Sequence, residues 1–289
     1  MPSVDAWPRV RRWRGPGVQG LELWNRPLRD GMFWEQVGVP RLDRLRADGW
    51  READIGRDQA RSVATALDGL HRELGFQSVF LGGGLLEIDG FASSLHASRL
   101  PFRIALSPDR AFAGEAGGHA LLGALGLPGG VVLDVGQTAV KASCRRVRAI
   151  RPRDPSSQPL ELIDPAGARP RPSRARVGAA AALVSAAARD LVERSGPPQP
   201  AVVLALPCPL GEDLVPGGCT YGWEGDPSLV PALVDAVACV IGHSAPEVLV
   251  LNDAELAAES ARLDLVPAPG DRVLCLTLGF GPGGALVTG

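Results

Sequence analysis

Asp134 ends the apolar run Val131, Val132, Leu133 and is followed by Gly136 and Thr138, after which Ala139, Val140, Lys141 and Ala142 resume an extended pattern. A strand ending on a carboxylate, a glycine turn with a hydroxyl at its tip and a second strand make a cradle suited to a phosphate and its metal ion. Asn252 and Asp253 end a second apolar run, Val248 to Leu251, and open the helical pattern Ala254, Glu255, Leu256, Ala257, Ala258. Polar residues at the carboxyl end of a parallel strand, where a helix begins, occupy the ligand crevice of open α/β sheets. Asp253 also reads as a plain N-cap, and the two readings are compatible because a capping carboxylate can still accept a proton.

Glycine marks two further strand ends. Ser78 to Leu81 reads as a short strand running into Gly82, Gly83 and Gly84, where a flat ligand can approach backbone that carries no Cβ. Val273 to Leu278 leads into Gly279, Gly281 and Gly284, which match the letter of G-x-G-x-x-G. A dinucleotide-binding fingerprint needs a helix after its glycines. Ala285 to Thr288 reads instead as a strand, which makes this stretch a glycine-rich hairpin.

The elements that must position these residues alternate between helices and apolar strands. Residues 57 to 75 read as an amphipathic helix stopped by Gly75, with Val63, Leu67, Leu70 and Leu74 three and four apart. A helix from about Gly90 to Ser98, a strand from Phe102 to Leu106 and an Ala/Gly-rich helix from about Phe112 to Leu125 precede the Asp134 motif. Residues 149 to 176, rich in Pro, Arg and Ser, are expected to form a loop. Beyond them come a helix from Val177 to Ser195, a strand from Ala201 to Leu206 and a helix from about Ser228 to Gly242. Fully apolar strands alternating with helices predict α/β layers with both sheet faces covered.

At 289 residues, 45% apolar, 21% charged and with a net charge of −2, the chain has the composition of a globular protein of one large or two ordinary domains. A near-neutral balance gives no electrostatic reason to expect nucleic acid or an anionic membrane as partner. No run approaches the roughly 18 apolar residues of a membrane span, and residues 1 to 7 lack a signal sequence, so the expected compartment is the cytoplasm. The five cysteines show no C-x-x-C pair and no ligand spacing to histidine, and read as buried thiols with no zinc site. Lys141 is the sole lysine among 30 basic residues. Residues 1 to 50 hold five of the six tryptophans with nine arginines and six acids, a composition suited to a packed cap or an oligomer contact, including a homodimer. Pro8, Pro16, Pro27 and Pro40 argue there against a helix-turn-helix.

Together these motifs resemble the sugar kinase/chaperone/actin superfamily, and within it the ROK sugar kinases. Leu133 to Lys141 is similar to that family's first phosphate motif, and Leu276 to Val287 to its second. Ala205-Leu-Pro-Cys-Pro209 resembles the family's "alPGp" segment, Trp223 sits where the family often has a tryptophan, and Val250 to Ala258 around Asn252-Asp253 looks like the segment that carries the catalytic aspartate. Phe80 to Gly84 and the stretch to about Leu125 resemble the adenosine motif and closing helix. The order differs: the family runs first phosphate, Asn-Asp, second phosphate, adenosine, whereas here the adenosine segment comes first. The resemblance therefore implies a two-lobed actin/hexokinase-like (ribonuclease H-like) ATPase fold in circularly permuted form. Residues 1–125, completed by 271–289, would form the adenosine-side lobe and 126–270 the first-phosphate and substrate lobe, joined through the Gly126 to Gly130 link. It predicts that the end of the second hairpin lies beside the N-terminal region.

What the resemblance implies for function is an ATP-dependent kinase acting on a hydroxyl of a sugar or similar small molecule, with magnesium as the only metal. Asp253 would be the general base and Asn252 would hold the substrate hydroxyl. Asp134 would position magnesium through water; Gly136, Thr138, Lys141, Gly279 and Gly281 would meet the phosphates, and Gly83 and Gly84 the adenosine. Several family features are missing: the zinc-binding cysteine cluster, the sugar-contacting Glu and His, and the small residue that Phe280 replaces. Glu115 and His119 belong to the closing-helix region and read as structural. The competing expectation is a catalytically inactive nucleotide- or sugar-binding protein of the same fold.

Overall fold

A computed structural model describes residues 8–23, 26–28, 31–136, 138–153, 174–218, 223–244, 246–279 and 281–289. The chain forms two compact units, Met1–Arg14 with Gly118–Leu256 and Gly15–Gly117 with Ala257–Gly289. It opens with strands β1 (Arg9–Arg12) and β2 (Val18–Leu21), a two-residue pair β3 (Pro27–Leu28) and β4 (Gly31–Met32), and helices α1 (Phe33–Gln36) and α2 (Val39–Ala47). Helix α3 (Glu52–Leu74) buries Ile55, Val63, Leu67 and Leu70 along one stripe, and Gly75 ends it at φ 63°, where only glycine is free of strain. Then come β5 (Ser78–Gly82), α4 (Phe91–Ala97), β6 (Arg103–Leu106) and α5 (Glu115–Ala124). The Asp134 motif is the hairpin β7 (Val131–Val135) and β8 (Ala139–Cys144), followed by β9 (Val147–Pro152) and α6 (Arg174–Ser195). The chain continues through β10 (Ala201–Leu206), α7 (Leu229–Ile241), β11 (Glu247–Asn252), α8 (Asp253–Leu265), β12 (Arg272–Leu278) and β13 (Pro282–Thr288).

In the first unit the strands stand in the order β1-β11-β10-β7-β8-β9. Strands β1, β11, β10 and β7 are parallel, and β8 and β9 are antiparallel. Alternation along each central strand sends side chains to two cores. Leu133, Leu204 and Val250 join Val184, Leu191 and Leu233 of α6 and α7 on one face. Val132, Val203 and Leu249 meet Leu122 of α5 and Leu256 of α8 on the other. Ala205 stands opposite Asp134 and Leu206 opposite Asn252, so Asp134 and Asn252 stand at the same, carboxyl end of the parallel strands β7, β10 and β11. Gly118 has no side chain because a Cβ there would lie 2.6 Å from Val132 Cγ1. The Gly126 to Gly130 link is fastened by Gln199, whose Oε1 accepts from Gly129 N at 2.6 Å.

The second unit has the order β2-β13-β12-β5-β6, with β12, β5 and β6 parallel and β13 and β2 antiparallel. The pattern of β9-β8-β7-β10-β11 recurs: two antiparallel strands on one side of a first strand and two parallel strands on the other. The difference lies in connectivity, because the outermost antiparallel strand, β2, comes from before its partners. Thr288 N donates to Gly17 O at 2.8 Å, which puts the end of the second hairpin beside the N-terminal tract. The hairpin expected around Gly279 to Gly284 is β12 and β13, with Leu276 opposite Gly284.

Two expectations need correction. The loop expected over 149–176 begins as a strand: β9 pairs with β8 along its length, and α6 starts at Arg174. On this edge strand Ala149 is the one fully buried residue, so it lacks an apolar period and its arginines read as loop. The rest of that loop, residues 154–173, lies outside the described residues. Cys144, Cys208 and Cys275 are buried, but Cys239 is exposed on the outer side of α7. The N-terminal tract contributes β1 to the six-stranded sheet, β2 to the five-stranded sheet and the β3–β4 pair. No described helix is long and apolar enough to cross a membrane.

Candidate functional site

Asp134 and Asp253 are brought together in the first unit. Asp134, the penultimate residue of β7, stands directly across the hairpin from Lys141, whose Nζ lies 3.3 Å from Asp134 Oδ2. Both side chains keep partial solvent access, 21% for Asp134 and 26% for Lys141. Asp253, half-buried, is the first residue of α8, and its Oδ1 accepts from Ala254 N at 2.7 Å. Loss of water raises its proton affinity most, and the Asp134 carboxylate raises it further. The Ala254 N–H and Lys141 pull in the other direction, Glu255 adds to the rise, and the carboxyl settles at about 7. A carboxylate near neutrality can take up and release a proton under ordinary conditions.

Asn252 fastens the site. Its Nδ2 donates to Leu206 O at 3.2 Å and Cys208 O at 3.0 Å, tying the end of β11 to the end of β10. Its Oδ1 accepts from Ala254 N at 2.9 Å, so Asn252, one residue ahead of the expected position, is the N-cap of α8. Glu255 completes a capping box by accepting from Asn252 N at 2.7 Å. Glu255 is buried and held in turn by Arg12 of β1, Nη2 to Oε1 2.6 Å. The Asn252-x-x-Glu255 spacing is a legible capping signature, whereas nothing in the sequence points to Arg12.

The turn between β7 and β8 is closed by Gly136 N donating to Ala139 O at 3.0 Å, so that amide is used within the turn. A Cβ on Gly136 would lie 3.0 Å from the same oxygen. Thr138 is exposed at the tip. Arg153 braces the turn, its backbone N donating to Thr138 O at 2.9 Å and its Nε to Gly136 O at 3.1 Å. Its guanidinium sits 5.7 Å from the ring centroid of buried Trp223. His119 Nε2 lies 3.0 Å from Ser143 Oγ, a tie between α5 and β8.

The glycine motifs meet in the second unit. Gly83 has φ 104°, and a Cβ there would come within 2.3 Å of Leu278 O, so the end of β5 packs on the end of β12 only because no side chain intervenes. Gly84 and Gly279 face open space by the same measure, and their lack of a Cβ leaves room beside the backbone. Gly281 accepts from Gly279 N at 3.4 Å across the turn of the second hairpin, and Phe280 lies outside the described residues.

No family model matches the chain, and no curated protein matches it. Among solved structures it is similar to β-ketoacyl-[acyl carrier protein] synthase III (FabH) from Thermus thermophilus. Identity is 14% over 78% of this chain and 83% of that one, with a TM-score of 0.23. A superposition of that quality carries no argument about fold or chemistry.

Proposed function

We propose that this chain is an ATP-dependent phosphotransferase acting on a hydroxyl of a sugar or similar small molecule. In this reading it is a circularly permuted ROK-type kinase with a two-lobed actin/hexokinase-like fold. The observation that carries the reading is the meeting of two unlike carboxyls at the carboxyl end of the parallel strands: Asp134, ion-paired to Lys141, and Asp253, pushed up to about 7. The recurring strand order supports the fold, and the origin of β2 from ahead of its partners supports a permutation cut between β13 and β2.

Asp253 takes the proton of an acceptor hydroxyl as that oxygen bonds to the terminal phosphorus of ATP; the bond from that phosphorus to the bridging oxygen of the β-phosphate breaks, ADP leaves with the bond's electrons, and the proton rests on the Asp253 carboxylate. Lys141 contributes positive charge beside the phosphates, and the exposed Thr138 hydroxyl offers a hydrogen bond. Asp134 suits a hydrated magnesium ion, which binds through oxygen ligands and usually retains several waters. Bound magnesium supplies neutralisation of phosphate charge. Gly84 and Gly279 give a nucleotide room against the backbone of the second unit.

The test is turnover of ATP with magnesium across a panel of sugars, with Asp253→Ala as control. A loss on the order of 10²-fold or more is expected in the variant. One observation favours a second reading, a nucleotide- or sugar-binding protein without catalysis: both amide hydrogens of Asn252 are already spent on Leu206 and Cys208. Nucleotide binding with no turnover for any acceptor would select it.

A further inference from the structure

We infer that Arg12 is a positioning residue for Asp253, acting through Glu255; the inference rests on the reading of Asp253 as the base. Strand β1 lies parallel to β11 with Arg12 opposite Val250. From there Arg12 Nη1 donates to Trp13 O at 2.5 Å and to Val250 O at 3.4 Å, which aims Nη2 at Glu255. The resulting ion pair, Nη2 to Oε1 2.6 Å, is sealed from water, with side-chain exposures of 7% for Arg12 and 8% for Glu255. The other oxygen of Glu255 holds the backbone N–H of Asn252. A chain of contacts thus runs from an edge strand at the start of the sequence to the turn that presents Asp253.

Charge follows the same route. Among the described residues, the ionisable groups that act on Asp253 are Asp134 from β7, Lys141 from β8 and Glu255 from its own helix. Arg12, from β1, is the buried countercharge of Glu255. A buried ion pair adds little net stability, but removing one partner leaves the other charge uncompensated. What Arg12 sets is therefore the place of Glu255 and the net charge behind Asp253. Glutamine at position 255 would keep the bond to the Asn252 N–H without the charge, since Gln serves a capping box as well as Glu.

The experiment compares Arg12→Met, Glu255→Gln and the double variant in full-length protein. It reads the pH midpoint of kcat, KM for ATP, and melting temperature. Arg12→Met should raise the midpoint by roughly 0.5 to 1 unit and lower kcat at pH 7 about three- to tenfold, with KM for ATP within about twofold. Glu255→Gln should lower the midpoint, and the double variant should bring it back to within roughly 0.3 unit of the wild type. A melting temperature that falls in Arg12→Met while the midpoint stays put overturns the inference, as does a double variant that does not restore it. Should Arg12→Met fail to fold, an unmoved midpoint in Glu255→Gln has the same force. If the wild type turns over no acceptor, the functional reading has failed separately. The midpoints are then read from the ¹³C carboxyl resonance of Asp253, assigned by its loss in Asp253→Asn, and the same shifts are expected.

Discussion

Lys141 stands directly opposite Asp134 in the β7–β8 ladder, with its ammonium 3.3 Å from the carboxylate. This pair couples to Asp253, which is raised by Asp134 and lowered by Lys141. Lys141→Met should therefore move the Asp253 titration upward, by a few tenths to about one unit for a partly solvated cation. A pH–kcat profile or a carboxyl titration reads the shift. As the sole lysine, Lys141 can also be followed by amine-selective labelling, and magnesium with ATP should slow its modification.

Asp253 sets activity and stability against each other. Its carboxyl binds a proton up to about 7 in the folded chain, against 3.8 ordinarily. Between those values the folded state holds a proton that the unfolded chain has released, so its stability contribution is lost as pH rises through the window and is flat above it. On the proposed reading turnover depends on the ionised base and should rise through the same window. Asp253→Asn should flatten the stability profile and raise the melting temperature at pH 8, on the order of 5 °C. It should also lower kcat by about 10²-fold or more. Calorimetry at about pH 4 and about pH 8 distinguishes this from a general stabilisation, because near the lower end of the window the variant should gain little.

Asn252 is expected to behave as a structural fastener. Asn252→Ala removes the α8 cap and leaves two strand-end carbonyls without their donors, at a cost of about 2–3 kcal/mol. Asn252→Asp keeps the cap but sets a carboxylate against those carbonyls, and should not restore the loss. Urea melts of the two variants measure it.

The neighbouring glycines Gly83 and Gly84 should respond differently. Gly83→Ala meets the Leu278 backbone from a left-handed conformation and should cost about 2–4 kcal/mol. Gly84→Ala has open space around it and should change stability by less than about 1 kcal/mol while weakening nucleotide affinity. Unchanged ATP affinity in Gly84→Ala, measured by calorimetric titration, would remove that glycine from the proposed nucleotide site.

The central strands were legible because burial on both faces makes them continuous apolar runs, as in Ala201 to Leu206, and α3 because its stripe is long and ends on Gly75. Strands β1, β2 and β9 were not, since each holds a sheet edge with few or no buried side chains. Asp134 and Asp253 could be picked out because each ends an apolar run. Arg12 could not, because its partner lies 243 residues away and only the fold brings them together. For Gly83, the sequence shows that a Cβ is unwelcome but not what excludes it, which is the backbone of Leu278.

The pairing of β2 with β13 has a consequence for biosynthesis. Strand β2 borders its sheet at an edge and has β13 as its one neighbour there, and β1 depends in the same way on β11. Both N-terminal strands leave the ribosome long before their partners exist, while β7, β8 and β9 can zip up locally as they emerge. A nascent chain of this kind carries two unsatisfied edges through most of its translation, the state in which wrong pairing and chaperone capture occur. These two strands are made well before they can be fastened.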